Sequence, residues 1–216
     1  MTAFVRVGLL DGALDRSFGH AVDAVSGSAP LDADARGHGS QIARCVLAHA
    51  PQARLAVAQV FDRSRETTVD AVLDGLYWLI GQGVHLINMS FGMATASPRL
   101  ALACRDAAEA GIVLVASAPA RGAPVYPAAF AHCIAVTGDA RCAPGELSWL
   151  ATAAADFGTH ALIEPGHPER GGGASIATAR MSGLIAALLA QGVEPSDLRE
   201  RLQGAAIHVG PERRHA

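Results

Sequence analysis

The sequence has no Cys-x-x-Cys pair, although it carries four cysteines, Cys45, Cys104, Cys133 and Cys142. Thiols spaced this widely exclude the common zinc spacings and, in a reducing compartment, a disulfide framework. They read as buried, idle thiols, and neither a metal nor another cofactor is implied. Uninterrupted apolar runs are short: none reaches the roughly 18 residues that a bilayer-crossing helix needs, and even the helix-like stretch Ser182 to Gly192 falls short of it. A basic stripe is also missing. The formal net charge is -3, with acidic and basic residues intermixed, so neither nucleic acid nor an anionic membrane is an expected partner. Only Arg213, Arg214 and His215 are locally basic, and they read as a solvated terminus. The opening segment, Met1 to Asp11, lacks the charged start, long apolar stretch and small-residue cleavage site of a secretory signal. It reads as a first strand, and the expectation is a soluble, cytoplasmic protein. With no internal repeat or interdomain linker, residues 1–216 are read as one domain. Half of them are hydrophobic, which is enough for a sizeable core.

What is present is an alternation of short Val/Ile/Leu-rich runs with longer stretches of helical period. That pattern predicts an α/β fold in three layers, a mainly parallel sheet with helices on both faces. The expected strands are Phe4 to Leu10, Arg54 to Val60, Val84 to Met89, Ile112 to Ala116 and Cys133 to Val136. Between them, Thr67 to Gly81 sets Val69, Val72, Leu73, Leu76 and Ile80 on one face, and Pro98 to Ala110 does the same with Leu100, Leu102, Ala103 and Ala107. Glycines follow both segments where a helix stop is wanted. Residues His160 to Gly173, rich in proline and glycine, predict a loop, and Ala174 to Gln191 a helix with Ser175 in its first turn. A terminal helix is expected over Pro195 to Gln203, capped by Ser196.

Three segments carry chemistry-bearing residues, and each has an ordinary reading beside the functional one. An apolar strand ends at Asp11 before Gly12, where an aspartate commonly serves a turn or a cap. Glycines flank His38 at a helix entrance, in Gly37-His38-Gly39-Ser40, and a lone histidine is commonly structural. The glycine-rich run Gly171-Gly172-Gly173-Ala174 delivers Ser175 to a helix start, where a serine is commonly an N-cap.

Taken together, the order Asp, His, Ser is that of the subtilisin-type serine proteases. The segment ending at Asp11 is similar to the subtilase Asp-Ser/Thr-Gly motif, and Gly37-His38-Gly39-Ser40 to its His-Gly-Thr-His motif. Gly173-Ala174-Ser175-Ile176-Ala177 resembles Gly-Thr-Ser-Met-Ala, the strand Val84 to Gly92 resembles Val-Ile-Asn-Met-Ser-Leu-Gly, and Tyr126-Pro127-Ala128 resembles Tyr-Pro-Ala. The resemblance implies a serine endopeptidase with Asp11, His38 and Ser175 as its catalytic triad. A hydroxyl is a poor nucleophile until a neutral imidazole can take its proton, and a carboxylate behind the ring fixes the tautomer. It further implies that a substrate peptide adds as a strand along Ser90-Phe91-Gly92, with Gly92 leaving room, and that Ala116, Ser117 and Ala118 line the pocket for the residue before the scissile bond.

The sequence departs from the family where an Asn side chain normally donates to the oxyanion: it reads Ala118-Pro119-Ala120-Arg121. Loss of that donor costs roughly a hundred- to a thousandfold in turnover in subtilisin, so a slow enzyme is expected. Asn88 or Arg121 stands as a substitute donor beside the Ser175 backbone N–H. Ala179 and Arg180 replace the usual Pro and His of the serine helix, with altered packing or substrate contacts expected. The inhibitory propeptide and calcium-binding loops of secreted subtilases are expected to be absent. The chain thus resembles a small cytoplasmic subtilase that processes a dedicated peptide or protein precursor by leader removal. One such form is the maturation protease for the small subunit of quinohemoprotein amine dehydrogenase. The alternative is a catalytically weak pseudoprotease that binds a peptide without cutting it.

Overall fold

The computed structural model describes residues 4–27, 34, 36–61 and 66–212; Arg213, Arg214 and His215 lie outside them. Nine strands form one sheet in the order β2-β3-β1-β4-β5-β6-β8-β7-β9. They are β1 (Arg6–Asp11), β2 (Val22–Ser26), β3 (Arg54–Gln59), β4 (Leu86–Met89), β5 (Val113–Ser117), β6 (Cys133–Gly138), β7 (Leu147–Trp149), β8 (Phe157–Thr159) and β9 (His208–Val209). Every pairing is parallel except β7 with β8. The helices are α1 (His38–His49), α2 (Val69–Gly81), α3 (Pro98–Glu109), α4 (Ala174–Ala190) and α5 (Leu198–Gly204). This is the expected three-layer α/β architecture.

The two-residue period of the strands divides the core. Val7, Leu9, Leu55, Val57, Leu86, Val115 and Val136 face the layer of α1 and α4, where they meet Ile42, Val46, Ile176 and Ile185. Their neighbours Leu10, Ala56, Ala58, Ile87, Leu114 and Ala135 face α2 and α3, against Leu73, Leu76, Leu79 and Leu100. Burial on both faces is why these strands read as continuous apolar runs rather than alternating ones.

Helix starts follow side-chain capping. Thr68 accepts from the Ala71 N–H at 3.1 Å, and Ser97 from the Leu100 N–H at 3.3 Å with Pro98 directly behind it. These caps place the first helical residue of α2 at Val69 rather than Thr67. Leu102 is a correction: it is 44% exposed and stands off the buried face of α3. The C-terminal expectation also changes. Pro195–Asp197 is a single 3-10 turn leading into α5, and the Ser196 hydroxyl bonds the Asp197 carboxylate instead of capping a helix. The 160–173 segment is a loop, pinched at its base by a bridge between Leu162 and Gly172. All four cysteines are free and buried. Among the described residues, no helix is long and apolar enough to cross a membrane.

Candidate active site

Asp11 is the last residue of β1, at the carboxyl edge of the sheet, and is only 1% exposed. Its Oδ1 accepts the Gly12 N–H at 2.7 Å and faces His38 Nδ1 at 2.9 Å. Asp11 therefore makes the turn bond of its ordinary reading and also faces the ring: the backbone bond fixes the carboxylate, and the fixed carboxylate meets His38. An imidazole that gives its Nδ1 proton to this buried acceptor keeps Nε2 as the basic nitrogen.

His38 is the first residue of α1, and its side chain is 34% exposed. The helix can start so close to β1 because the next residue has no side chain. A Cβ on Gly39 would lie 2.7 Å from the Gly12 carbonyl oxygen and 2.8 Å from that of Ala13. Ser40 closes the same junction, since its hydroxyl accepts the Asp15 N–H at 2.9 Å and donates to the Asp34 carbonyl at 3.1 Å.

Ser175 is the second residue of α4. The N-cap is Gly173, whose φ of 134° is one that side chains rarely adopt, so Ser175 is not the cap. Its hydroxyl instead donates to the Ser90 carbonyl oxygen at 2.8 Å. Ser90 follows β4, the parallel neighbour of β1, and Leu9 is in register with Asn88. The pairing of β1 with β4 ends there, and Asp11, two residues on, and Ser90, the residue after β4, lie at the carboxyl edges of these neighbouring strands. The acid–imidazole pair thus stands at the carboxyl end of β1, and the serine is tied to the chain leaving the neighbouring strand β4, although Asp11 and Ser175 are 164 positions apart in sequence. Helical i→i-4 bonding begins at the Ala177 N–H, which reaches the Gly173 carbonyl. The earlier first-turn N–H groups of α4, including that of Ser175, lie outside this ladder.

Other expected site residues divide. Phe91 and Gly92 follow Ser90 outside any regular strand, Phe91 half-buried against Phe61 and Gly92 exposed. The absent Cβ of Gly92 points at Val125, which it would meet at 2.9 Å, so that glycine is demanded by packing. Ala116 and Ala118 are wholly buried in the α2/α3 half of the core and Ser117 is 7% exposed; none of the three forms an open pocket wall here.

Asn88 is a correction to its reading as an oxyanion donor. It is fully buried, its Nδ2 donates to the Ser90 hydroxyl at 2.9 Å, and its Oδ1 accepts the Ser182 hydroxyl at 2.9 Å. Arg121 and Ala120 are exposed in the bend after β5. Arg180 is buried, its guanidinium donating to the carbonyls of Leu162 at 2.9 Å and Ile163 at 3.3 Å; it braces the loop that leads to Ser175. Ser182 escaped the sequence reading. Its signal is its spacing: seven residues after Ser175, it lies on the same helix face. Among the described residues, no cluster of His, Cys, Asp and Glu is arranged to hold a metal.

The sequence pattern of the subtilase family matches residues 10–214. The chain is 36% identical over 120 residues to a thermostable alkaline protease of Halalkalibacterium halodurans, covering 50% of this chain and 33% of that protein. It is 30% identical over 149 residues to alkaline elastase YaB of a Bacillus species, covering 61% and 39%. Against subtilisin Savinase of Lederbergia lenta it is 32% identical over 118 residues, covering 50% and 44%. The matches thus span less than half of each of these relatives. In fold it is similar to a lanthipeptide protease, with a TM-score of 0.73 at 16% identity over 94% of this chain and 80% of the other. It is also similar to the prenylagaramide maturation protease PagA, with a TM-score of 0.67 at 20% identity over 91% and 81%. The self-cleaved protease domain of PatA gives 0.70 at 23% identity over 93% and 88%.

Proposed function

Since the chain belongs to the subtilase family, we propose that it is a serine endopeptidase using Asp11, His38 and Ser175, and that it processes a peptide or protein precursor in the cytoplasm. The observation that carries this reading is the buried Asp11 carboxylate 2.9 Å behind His38 Nδ1, with Ser175 bonded to Ser90 at the end of the neighbouring strand. A protein that only bound peptides would gain nothing from a buried acid aligned on a ring. The precursor role is supported by fold neighbours that are a lanthipeptide protease and the maturation protease PagA. Removal of a leader, such as that of the small subunit of quinohemoprotein amine dehydrogenase, is the kind of task meant. Four free buried thiols suit a reducing compartment.

In this mechanism the peptide lies along Ser90-Phe91-Gly92, and the Ser175 hydroxyl turns from the Ser90 carbonyl toward His38. Oγ attacks the scissile carbonyl carbon while its proton passes to Nε2. Asp11 steadies the imidazolium, and the new oxyanion meets the Ser175 N–H at the positive end of α4. Collapse sends the His38 proton to the departing amine, and water repeats the sequence on the acyl-enzyme. With Ala120 where the family places a side-chain donor, the oxyanion has less support, and Arg121 is the nearest cationic group in that segment to supply it. Slow turnover follows.

A fluorophosphonate probe read by intact mass tests the proposal: one label is expected on the wild type and none on Ser175→Ala. Absence of Ser175-dependent labelling would make the chain a peptide-binding pseudoprotease instead. Once labelling is established, a processing enzyme cuts a cognate precursor at one position, and a general protease at many. Labelling should rise with pH as His38 loses its proton, and a flat profile between about pH 5 and 8 would remove His38 from the role of base.

A further inference from the structure

We infer that Ser182, Asn88 and Ser90 form a buried relay that positions Ser175 for attack, an inference that rests on the protease reading above. The strand alternation that sends Leu86 toward α4 sends Asn88 the same way, and seven helical residues bring Ser182 onto the face that carries Ser175. The bonds then run in one direction. The Ser182 hydroxyl donates to Asn88 Oδ1 at 2.9 Å, Asn88 Nδ2 donates to the Ser90 hydroxyl at 2.9 Å, and that hydroxyl donates to the Ser175 carbonyl at 3.1 Å. Ser175 closes the loop by donating from Oγ to the Ser90 carbonyl at 2.8 Å.

The direction follows the Asn88 amide, whose Oδ1 faces the Ser182 hydroxyl on α4 and whose Nδ2 faces Ser90. The Ser90 oxygen, having accepted, spends its own proton on the Ser175 carbonyl. Were the amide reversed, the Ser90 hydroxyl would donate to Oδ1 and release the Ser175 backbone. Asn88 and Ser182 are fully buried and Ser90 is 3% exposed, so water does not compete and each bond is costly to leave unmade. The relay fixes the first turn of α4 against the end of β4, and with it the origin from which Oγ swings to His38. Ser90 and Ser182 are positioning residues: their effect on the reaction passes through Ser175.

The test is the second-order rate of fluorophosphonate labelling, normalised to the fraction of chains finally labelled. Ser182→Ala should slow labelling per active chain about three- to tenfold and Ser90→Ala about tenfold, while the double variant is no slower than Ser90→Ala. Two residues acting through one amide are non-additive. The pH of half-maximal labelling should stay in place, because the Asp11–His38 pair is untouched. Ile185→Val, which trims a buried α4 side chain outside the relay, should lower thermal stability without changing the rate per active chain. If Ser182→Ala fails to accumulate, Ser182→Cys, with a weaker donor, should show the same change at smaller amplitude. An unchanged rate per chain in Ser182→Ala, or slowing that multiplies in the double variant, overturns the relay and leaves the protease reading standing. Failure of the wild type to label at Ser175 overturns both.

Discussion

At the residue scale the site depends on a side chain that is missing. His38 reaches Asp11 because α1 begins against the turn after β1, and Gly39 permits that approach. In Gly39→Ala a methyl would sit 2.7 and 2.8 Å from two backbone carbonyl oxygens, which unlike a flexible side chain cannot swing aside. The helix start must then lift, taking His38 with it, and a displacement near 1 Å at a catalytic group costs about a hundredfold. Gly39→Ala should therefore label on the order of a hundred times more slowly than wild type. Asp11→Asn is a cleaner companion, since it keeps the volume and the bond from Gly12 but no longer favours the right tautomer of His38; a loss of about 10⁴ in turnover is expected. Peptide hydrolysis measured on chains of matched fold by circular dichroism checks both. The sequence pattern marked His38 and its flanking glycines together, but spacing alone does not reveal that the second glycine is required by Gly12 and Ala13. The three positions proposed as a triad, Asp11, His38 and Ser175, stand out in the sequence because each closes a recognisable motif. Ser182 does not, because a serine inside an apolar helix carries no local mark and acquires meaning only when Asn88 arrives from another element.

At the element scale, α4 is the member that organises the site. It packs against α1 and lies over β4, β5, β6 and β8, and its buried residues mix large side chains such as Ile176, Met181 and Ile185 with the small Ala177, Ala179, Gly183 and Ala186. Gly183 lets α1 come close: a Cβ there would stand 2.6 Å from the Val46 carbonyl oxygen and 2.9 Å from His49 Cβ. Two effects oppose each other in Gly183→Ala. Helix propensity gains about 1 kcal/mol, whereas forcing a methyl into a closed helix contact costs about 1–3 kcal/mol. With backbone as the obstacle, the upper part of that range applies, and a net destabilisation of about 1–2 kcal/mol is expected from urea denaturation. Because α1 carries His38 and α4 carries Ser175, labelling should slow as well. The long elements were legible from their period: β1, β3, β4, β5, β6, α2, α3 and α4 all fall within two residues of their expected places. The strands β2, β7, β8 and β9 were not. The edge strand β2 leaves alternate residues exposed and so shows no continuous apolar run, while β7, β8 and β9, at three, three and two residues, are too short to establish a pattern, and β2 and β9 pair on one side only, at the margins of the sheet.

At the scale of the whole molecule, the β9 margin is held by charge rather than by apolar period. The chain returns from α5 to add β9 beside β7, and Arg141 fastens the junction by donating to the Asp139 carboxylate at 2.7 Å and to the Gly210 carbonyl at 2.7 Å. Asp139 is 6% exposed. Burial pushes its acid upward, but the Arg141 side-chain hydrogen bond, then the neighbouring Ser148 hydroxyl and the Arg141 backbone N–H, together with the guanidinium charge, outweigh burial and hold it at about 2, below the ordinary 3.8. A carboxyl whose folded value is depressed stabilises the fold fully above its unfolded value and loses that contribution as pH falls toward the folded one. The Asp139–Arg141 pair should thus contribute a constant increment at and above about pH 5. The increment, about 2 kcal/mol by linkage, should shrink between about pH 4 and pH 2. Asp139→Asn removes the charge, so its stability deficit measured by denaturant titration should be level from pH 7 to 5 and close as the acid limb is descended. Since the pair lies at the far end of the sheet from β1, the labelling rate of Ser175 per folded chain should be the same in Asp139→Asn and wild type at pH 7. A rate that fell with the stability would mean that the β6-to-β9 margin and the carboxyl edge of β1 and β4 move as one body.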